Sequence, residues 1–183
     1  MLAGGGTLEL GLPAKSMPNG LRAKFYGVTS PADRYALLEK DLGVGKSVRC
    51  DFDIYVNQRP NMDVVDVFRI RTRGPGVGDY ILYLAVTTGG GSLADDISYA
   101  DASCACPQKY VPFTKLHVAS WSHVTVETDF ATAKVTVDGT VVVNDTFGPI
   151  NPTDPIVVGL GGRAFSSITS DVSFDDFSCT LSP

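Results

Sequence analysis

The chain has 183 residues, with 15 Lys and Arg against 20 Asp and Glu for a formal net charge of -5. No basic run appears, so nucleic acid and anionic membrane are excluded as main partners, because both need clustered cations. No apolar stretch reaches the roughly 20 residues that span a bilayer, so no membrane insertion is expected. Only 19% of residues are charged, while Gly, Pro, Ser, Thr and Val are plentiful. That balance fits short strands joined by many turns, and helix content should be low.

Residues 1–6, with their Gly4-Gly5-Gly6 run, read as a leader or linker, and 7–183 as one domain long enough for a full sandwich. Any export signal is expected to lie outside this sequence. Residues 47–57 alternate cleanly, with Val48, Cys50, Phe52, Ile54 and Val56 on one face and Arg49, Asp51, Asp53, Tyr55 and Asn57 on the other. Residues 64–72 repeat the device less cleanly, placing Val64, Phe68 and Ile70 inward with Asp66 in phase, and Arg69 and Arg71 outward with Val65 and Val67. In residues 80–86, Leu82, Leu84 and Val86 face the core. These three strands read as neighbours in one sheet.

Residues 87–112 differ in kind, with Gly89-Gly90-Gly91, Asp95-Asp96 and Cys104-Ala105-Cys106-Pro107. They read as a long excursion with one short strand. From Trp121 the alternation returns. Asp138-Gly139 between two β-branched runs signals a type I′ hairpin, whose two central residues need positive φ. Another apolar run covers 155–162, and a strand closes the chain over 170–181. There the apolar phase jumps from Val172 and Phe174 to Phe177, Cys179 and Leu181, which predicts a β-bulge at Asp175-Asp176.

Four cysteines make an even count without a metal-binding pattern and suit an oxidising compartment. Three connectivities are open. Cys50 and Cys179 are favoured, because a sandwich commonly brings strands from opposite ends of the chain together. Cys104 and Cys106 are left over, and a bond across one intervening residue would be strained.

The ordered set Ser120-Trp121-Ser122-His123-Val124-Thr125-Val126, Ala133-Lys134-Val135-Thr136-Val137-Asp138-Gly139, Val158-Gly159-Leu160-Gly161 and Val172-Ser173-Phe174-Asp175-Asp176-Phe177 resembles the bacterial laminin G-like domains of the concanavalin A-like superfamily. The resemblance implies an all-β jelly-roll sandwich of two antiparallel sheets. It also implies a secreted or cell-surface setting and a glycan or extracellular protein ligand. A structural Ca²⁺ is implied at an aspartate placed like Asp176, with Asp175 beside it and carbonyls from the N-terminal region. Sandwich relatives that hydrolyse glycosides carry a Glu-x-Asp-x-Glu strand. The closest string here, Asp51-Phe52-Asp53-Ile54-Tyr55, lacks both glutamates.

The chemistry follows from residue types. Tyr55 and Tyr83 could stack on pyranose faces while Arg69 and Arg71 bond hydroxyls, which makes a carbohydrate-recognising module the leading reading. The alternatives are a polysaccharide-degrading hydrolase or lyase using Asp51 or Asp53, which share a strand face, and a purely structural or adhesive surface domain. The bland account of Asp51 and Asp53 is a salt-bridged strand face formed with Arg49, Arg69 and Arg71. Zinc on Cys104, Cys106, His117 and His123 is disfavoured by the Cys-x-Cys spacing.

Overall fold

A computed structural model describes residues 2–3, 6–11, 14–16, 20–25, 34–60, 64–73, 79–87, 95–101, 109–113, 116–146, 151–164 and 169–183. The strands are β1 (Leu2–Ala3), β2 (Gly6–Gly11), β3 (Gly20–Phe25), β4 (Arg34–Gly43), β5 (Ser47–Gln58), β6 (Val64–Arg73) and β7 (Asp79–Thr87). They continue as β8 (Asp95–Asp101), β9 (Lys109–Phe113), β10 (Trp121–Thr128), β11 (Thr132–Val137), β12 (Thr140–Thr146), β13 (Ile156–Ala164) and β14 (Ser170–Ser182). No helix occurs among the described residues.

Two seven-stranded sheets pack face to face as a jelly roll, sheet A in the order β1-β4-β13-β6-β7-β8-β9 and sheet B in the order β12-β11-β10-β5-β14-β3-β2. Each sheet buries the face its alternation predicts. Val48, Cys50, Phe52, Ile54 and Val56 of β5 meet Phe68, Ile70, Leu82 and Leu84 of sheet A in one core. Phe52 stacks on Phe68 across the sandwich at 5.0 Å between ring centroids, with Phe174 and Phe177 tilted around Phe52 at 6.4 and 6.3 Å.

The disulfide joins Cys50 to Cys179, directly opposed on β5 and β14. The expected bulge is present: the register shifts between Asp175 and Ser178, and Asp176 takes a φ of 49°. Asp138 and Gly139 both have positive φ, at 49° and 79°, and close the β11–β12 hairpin as the turn chemistry requires.

Three expectations give way. β5 is not a neighbour of β6 and β7; it sits in sheet B and they sit in sheet A. A period of two says which face is buried and nothing about which sheet owns the strand. Val65 and Val67 point into the core rather than outward, because a register shift between Asp66 and Phe68 turns Asp66 to the outer face. The 87–112 excursion contains two strands, β8 and β9, which extend sheet A. Leu2–Ala3 pairs with β4, and Gly6 opens β2. Cys104 and Cys106 lie outside the described residues.

A buried clamp ties the sheets beyond β5. Asp95, at 0% exposure, receives both guanidinium nitrogens of Arg59 at 2.7 and 3.0 Å, the Thr87 amide at 3.0 Å and the Leu116 amide at 2.7 Å. Every lone-pair direction of a buried carboxylate that lacks a donor costs free energy, and here they are used. At the edge of sheet A, β9 carries the exposed Pro112.

Candidate functional site

The outer face of sheet A gathers three of the four ligand-binding residues expected from sequence, Arg69, Arg71 and Tyr83. Backbone register sets one row, Glu39 on β4, Gly159 on β13, Arg69 on β6 and Tyr83 on β7. A second row runs through Arg163, Asp66, Ala85 and Asp96, and a third carries Arg71 beside Val157. Three guanidiniums therefore share one sheet face.

Gly159 explains how Arg69 reaches its partner. Arg69 and Glu39 sit on strands separated by β13, and a Cβ at Gly159 would come within 3.0 Å of the Arg69 side chain and 3.5 Å of Glu39. The missing side chain leaves a channel in which Arg69 Nη2 donates to Glu39 Oε1 at 2.6 Å, while Arg71 Nε approaches the same oxygen at 3.4 Å. Burial pushes the Glu39 carboxyl up, but the two arginines outweigh it and hold the group below its ordinary value.

Arg163 Nη1 donates to the Tyr83 hydroxyl at 2.5 Å, and its guanidinium lies 5.5 Å from the Tyr83 ring centroid. A cation over the ring and on the phenol oxygen fixes that hydroxyl in place. Asp96 behaves oppositely to Glu39. Its Oδ1 is buried and has no hydrogen-bond partner among the described residues. Burial, aided by the adjacent Asp95 carboxylate, pushes the Asp96 carboxyl up to about 6. The face thus holds fixed cations and two groups, Tyr83 and Asp96, suited to holding a proton.

The remaining expected residues sit on the outer face of sheet B. Tyr55 is across the sandwich from Tyr83, so the four proposed ligand residues do not form one site. Asp51 bonds Arg49 through two contacts of 2.9 Å and accepts from Thr125 at 2.6 Å. Burial raises the Asp51 carboxyl, yet Arg49 and Thr125 more than compensate and hold it below its usual range. Asp53, 2% exposed, pairs with Lys15 at 3.0 Å and His123 Nδ1 at 2.9 Å. The salt-bridged face expected for these aspartates is there with Arg49, while Arg69 and Arg71 belong to the other sheet.

At the bulge, Asp175 accepts the Ser16 amide at 2.5 Å and the Ser16 hydroxyl at 3.0 Å, and Asp176 accepts the same hydroxyl at 3.1 Å. Burial would raise the Asp175 carboxyl, but hydrogen bonds from the backbone amides of Ser16 and Asp176 and from the Ser16 hydroxyl hold it below its usual range. A Ca²⁺ shell takes about six to eight oxygens, so further ligands would have to join these two carboxylates and one hydroxyl. Among the described residues no group of three or more His, Cys, Asp or Glu side chains converges as a metal site. Glu39, Arg163 and Asp96 were missed from sequence. Their signal lay in Gly159 and in a cross-strand register that only pairing defines.

No family model matches the chain, and no curated protein matches it. Solved structures do. The cellulose induced protein Cip1 superposes with a TM-score of 0.69 at 14% identity, covering 96% of this chain and 86% of that one. Alginate lyase A1-II′, a member of polysaccharide lyase family 7, gives 0.65 at 11% identity over 91% and 82% of the two chains. Alginate lyase Aly36B, solved with an alginate trisaccharide, gives 0.60 at 15% identity over 90% and 82%. At such identities the likeness is one of fold, and the fold they share with this chain is the two-sheet β jelly roll.

Proposed function

We propose that the chain is a secreted or cell-surface protein that recognises a polysaccharide bearing carboxylates across the outer face of sheet A. The observation that carries this reading is the gathering of Arg69, Arg71 and Arg163 on one sheet face. Guanidinium forks match carboxylates in geometry and charge, and Glu39 already shows the mode by which such a group is held. Carbohydrate is favoured over an extracellular protein ligand by the names of the structural neighbours, which include alginate lyases. The Cys50–Cys179 bridge fits an oxidising compartment. The ordered motifs from Trp121 to Phe177 support a laminin G-like grouping within the superfamily.

Turnover is the second reading, favoured by Tyr83 and Asp96. A phenol fixed by Arg163 and a carboxyl that titrates near neutrality can move a proton, as elimination across a uronate would need. Asp51 and Asp53 are engaged by Arg49, Thr125, Lys15 and His123 and offer less. Binding of alginate and polygalacturonate oligosaccharides by calorimetry, with product analysis on the same samples, tests both readings. Arg69→Ala is expected to weaken binding about tenfold to a hundredfold, the usual worth of a hydrogen bond to a charged group. Tyr83→Phe is expected to keep binding and lose any turnover. Equal affinity of Arg69→Ala and wild type would remove the site.

The structural Ca²⁺ at Asp176 and Asp175 belongs to the same proposal, supported by the paired carboxylates on the bulge. Chelation is expected to lower the melting temperature of the wild type and leave Asp176→Ala unmoved. Equal responses would count against the ion.

A further inference from the structure

We infer that the outer face of sheet B is a second sugar-binding surface, built on Tyr55 and Trp121, for a neutral and flat pyranose chain. Tyr55 and Trp121 are directly opposed on β5 and β10, with ring centroids 5.3 Å apart and planes inclined at 59°. Neither ring serves the core. Their strand neighbours Ile54, Val56 and Val124 fill it from the other face, and both rings stay partly open to solvent. Partly exposed aromatic faces of this kind stack on the C–H faces of sugars, which all-equatorial β-linked glucose presents on both sides.

Polar groups for hydroxyls stand beside the rings. Asn57 follows Tyr55 on the same face and donates to Asp171 at 3.1 Å and Ser173 at 2.9 Å. Arg22 closes on Asp171 through contacts of 2.8 and 2.5 Å. In the other direction along β5 the face opens into a hollow of about 530 Å³, lined by Arg49, Glu127, Asp129, Thr132, Lys134 and Thr180 among others. Tyr55 and Arg49 are six residues apart, about 20 Å at strand rise. A chain of several sugars fits along that path.

The charges decide the ligand class. Along this path Lys15 is paired with Asp53, Arg49 with Asp51 and Glu127, Lys134 with Glu127, and Arg22 with Asp171. An acidic chain would have to displace these carboxylate partners, whereas an uncharged chain displaces none.

Trp121 is the only tryptophan, so its emission reports this face alone. Cellohexaose is expected to shift that emission saturably in the wild type and equally in Arg69→Ala, and Tyr55→Ala is expected to weaken the response about tenfold or more. Trp121→Phe, followed by calorimetry, is expected to keep most of the affinity, because a ring remains. An unmoved emission with no calorimetric heat from cellohexaose would overturn the inference, as would undiminished binding by folded Tyr55→Ala. So would an emission shift with polygalacturonate oligosaccharides that matches the one with cellohexaose. Loss of uronate binding in Arg69→Ala bears on the sheet A reading and leaves this one intact.

Discussion

Asp96 is the residue on which pH should act. Its folded value, raised to about 6 from an ordinary 3.8, means that the folded protein holds this proton more tightly than the unfolded chain does. The stabilisation is therefore full below about pH 3.8 and is lost as pH rises through about 6. Asp96→Asn removes the buried anion and keeps the shape. Its melting temperature is expected to exceed that of the wild type at about pH 8 and to converge with it at about pH 4. A constant gap across that range would place the cause elsewhere. Asp96 stood in the sequence only as half of an acidic pair. That Asp95 would be spent on Arg59 while Asp96 Oδ1 found no partner among the described residues depends on contacts of Asp95 with residues 8 to 36 positions away.

At the scale of the strand, legibility followed periodicity. β5, β10, β11 and β14 alternate apolar residues with polar ones, and their faces were readable. β4 was silent because Tyr35-Ala-Leu-Leu-Glu-Lys40 has no β-branched residue and no alternation; its strand state is imposed by β13. The sheet A site was half legible: Arg69 and Tyr83 showed as outward positions, but their alignment in one row needed the register. The disulfide was readable in position, and its effect is calculable. It closes a loop with a sequence separation of 129, for which the chain-entropy view gives about 4 to 5 kcal/mol. The double variant Cys50→Ala/Cys179→Ala is expected to lose about that much in chemical denaturation. A loss below about 1 kcal/mol would mean that the reduced, unfolded chain is already constrained.

For the whole molecule, the two outer faces differ in kind. Sheet A holds a buried Arg69 and a more open Arg71 on one shared glutamate, and sheet B presents an aromatic pair among closed ion pairs. A protein built this way can meet one polymer on each side. That division follows from the crossing between β5 and β6, which sends Tyr55 and Tyr83 to opposite surfaces.

Meeting polymers on two sides would crowd many copies of the chain together, and the free rim of a sheet is where crowded copies would fuse. Pro112 in the outermost strand of sheet A has no N–H to offer there, so a strand from a neighbouring copy finds the ladder of donors broken. Restoring the donor with Pro112→Thr is expected to leave folding intact and to raise light scattering in concentrated solution or on a loaded polysaccharide. The proline would then be what keeps a densely decorated surface from seeding fibrils.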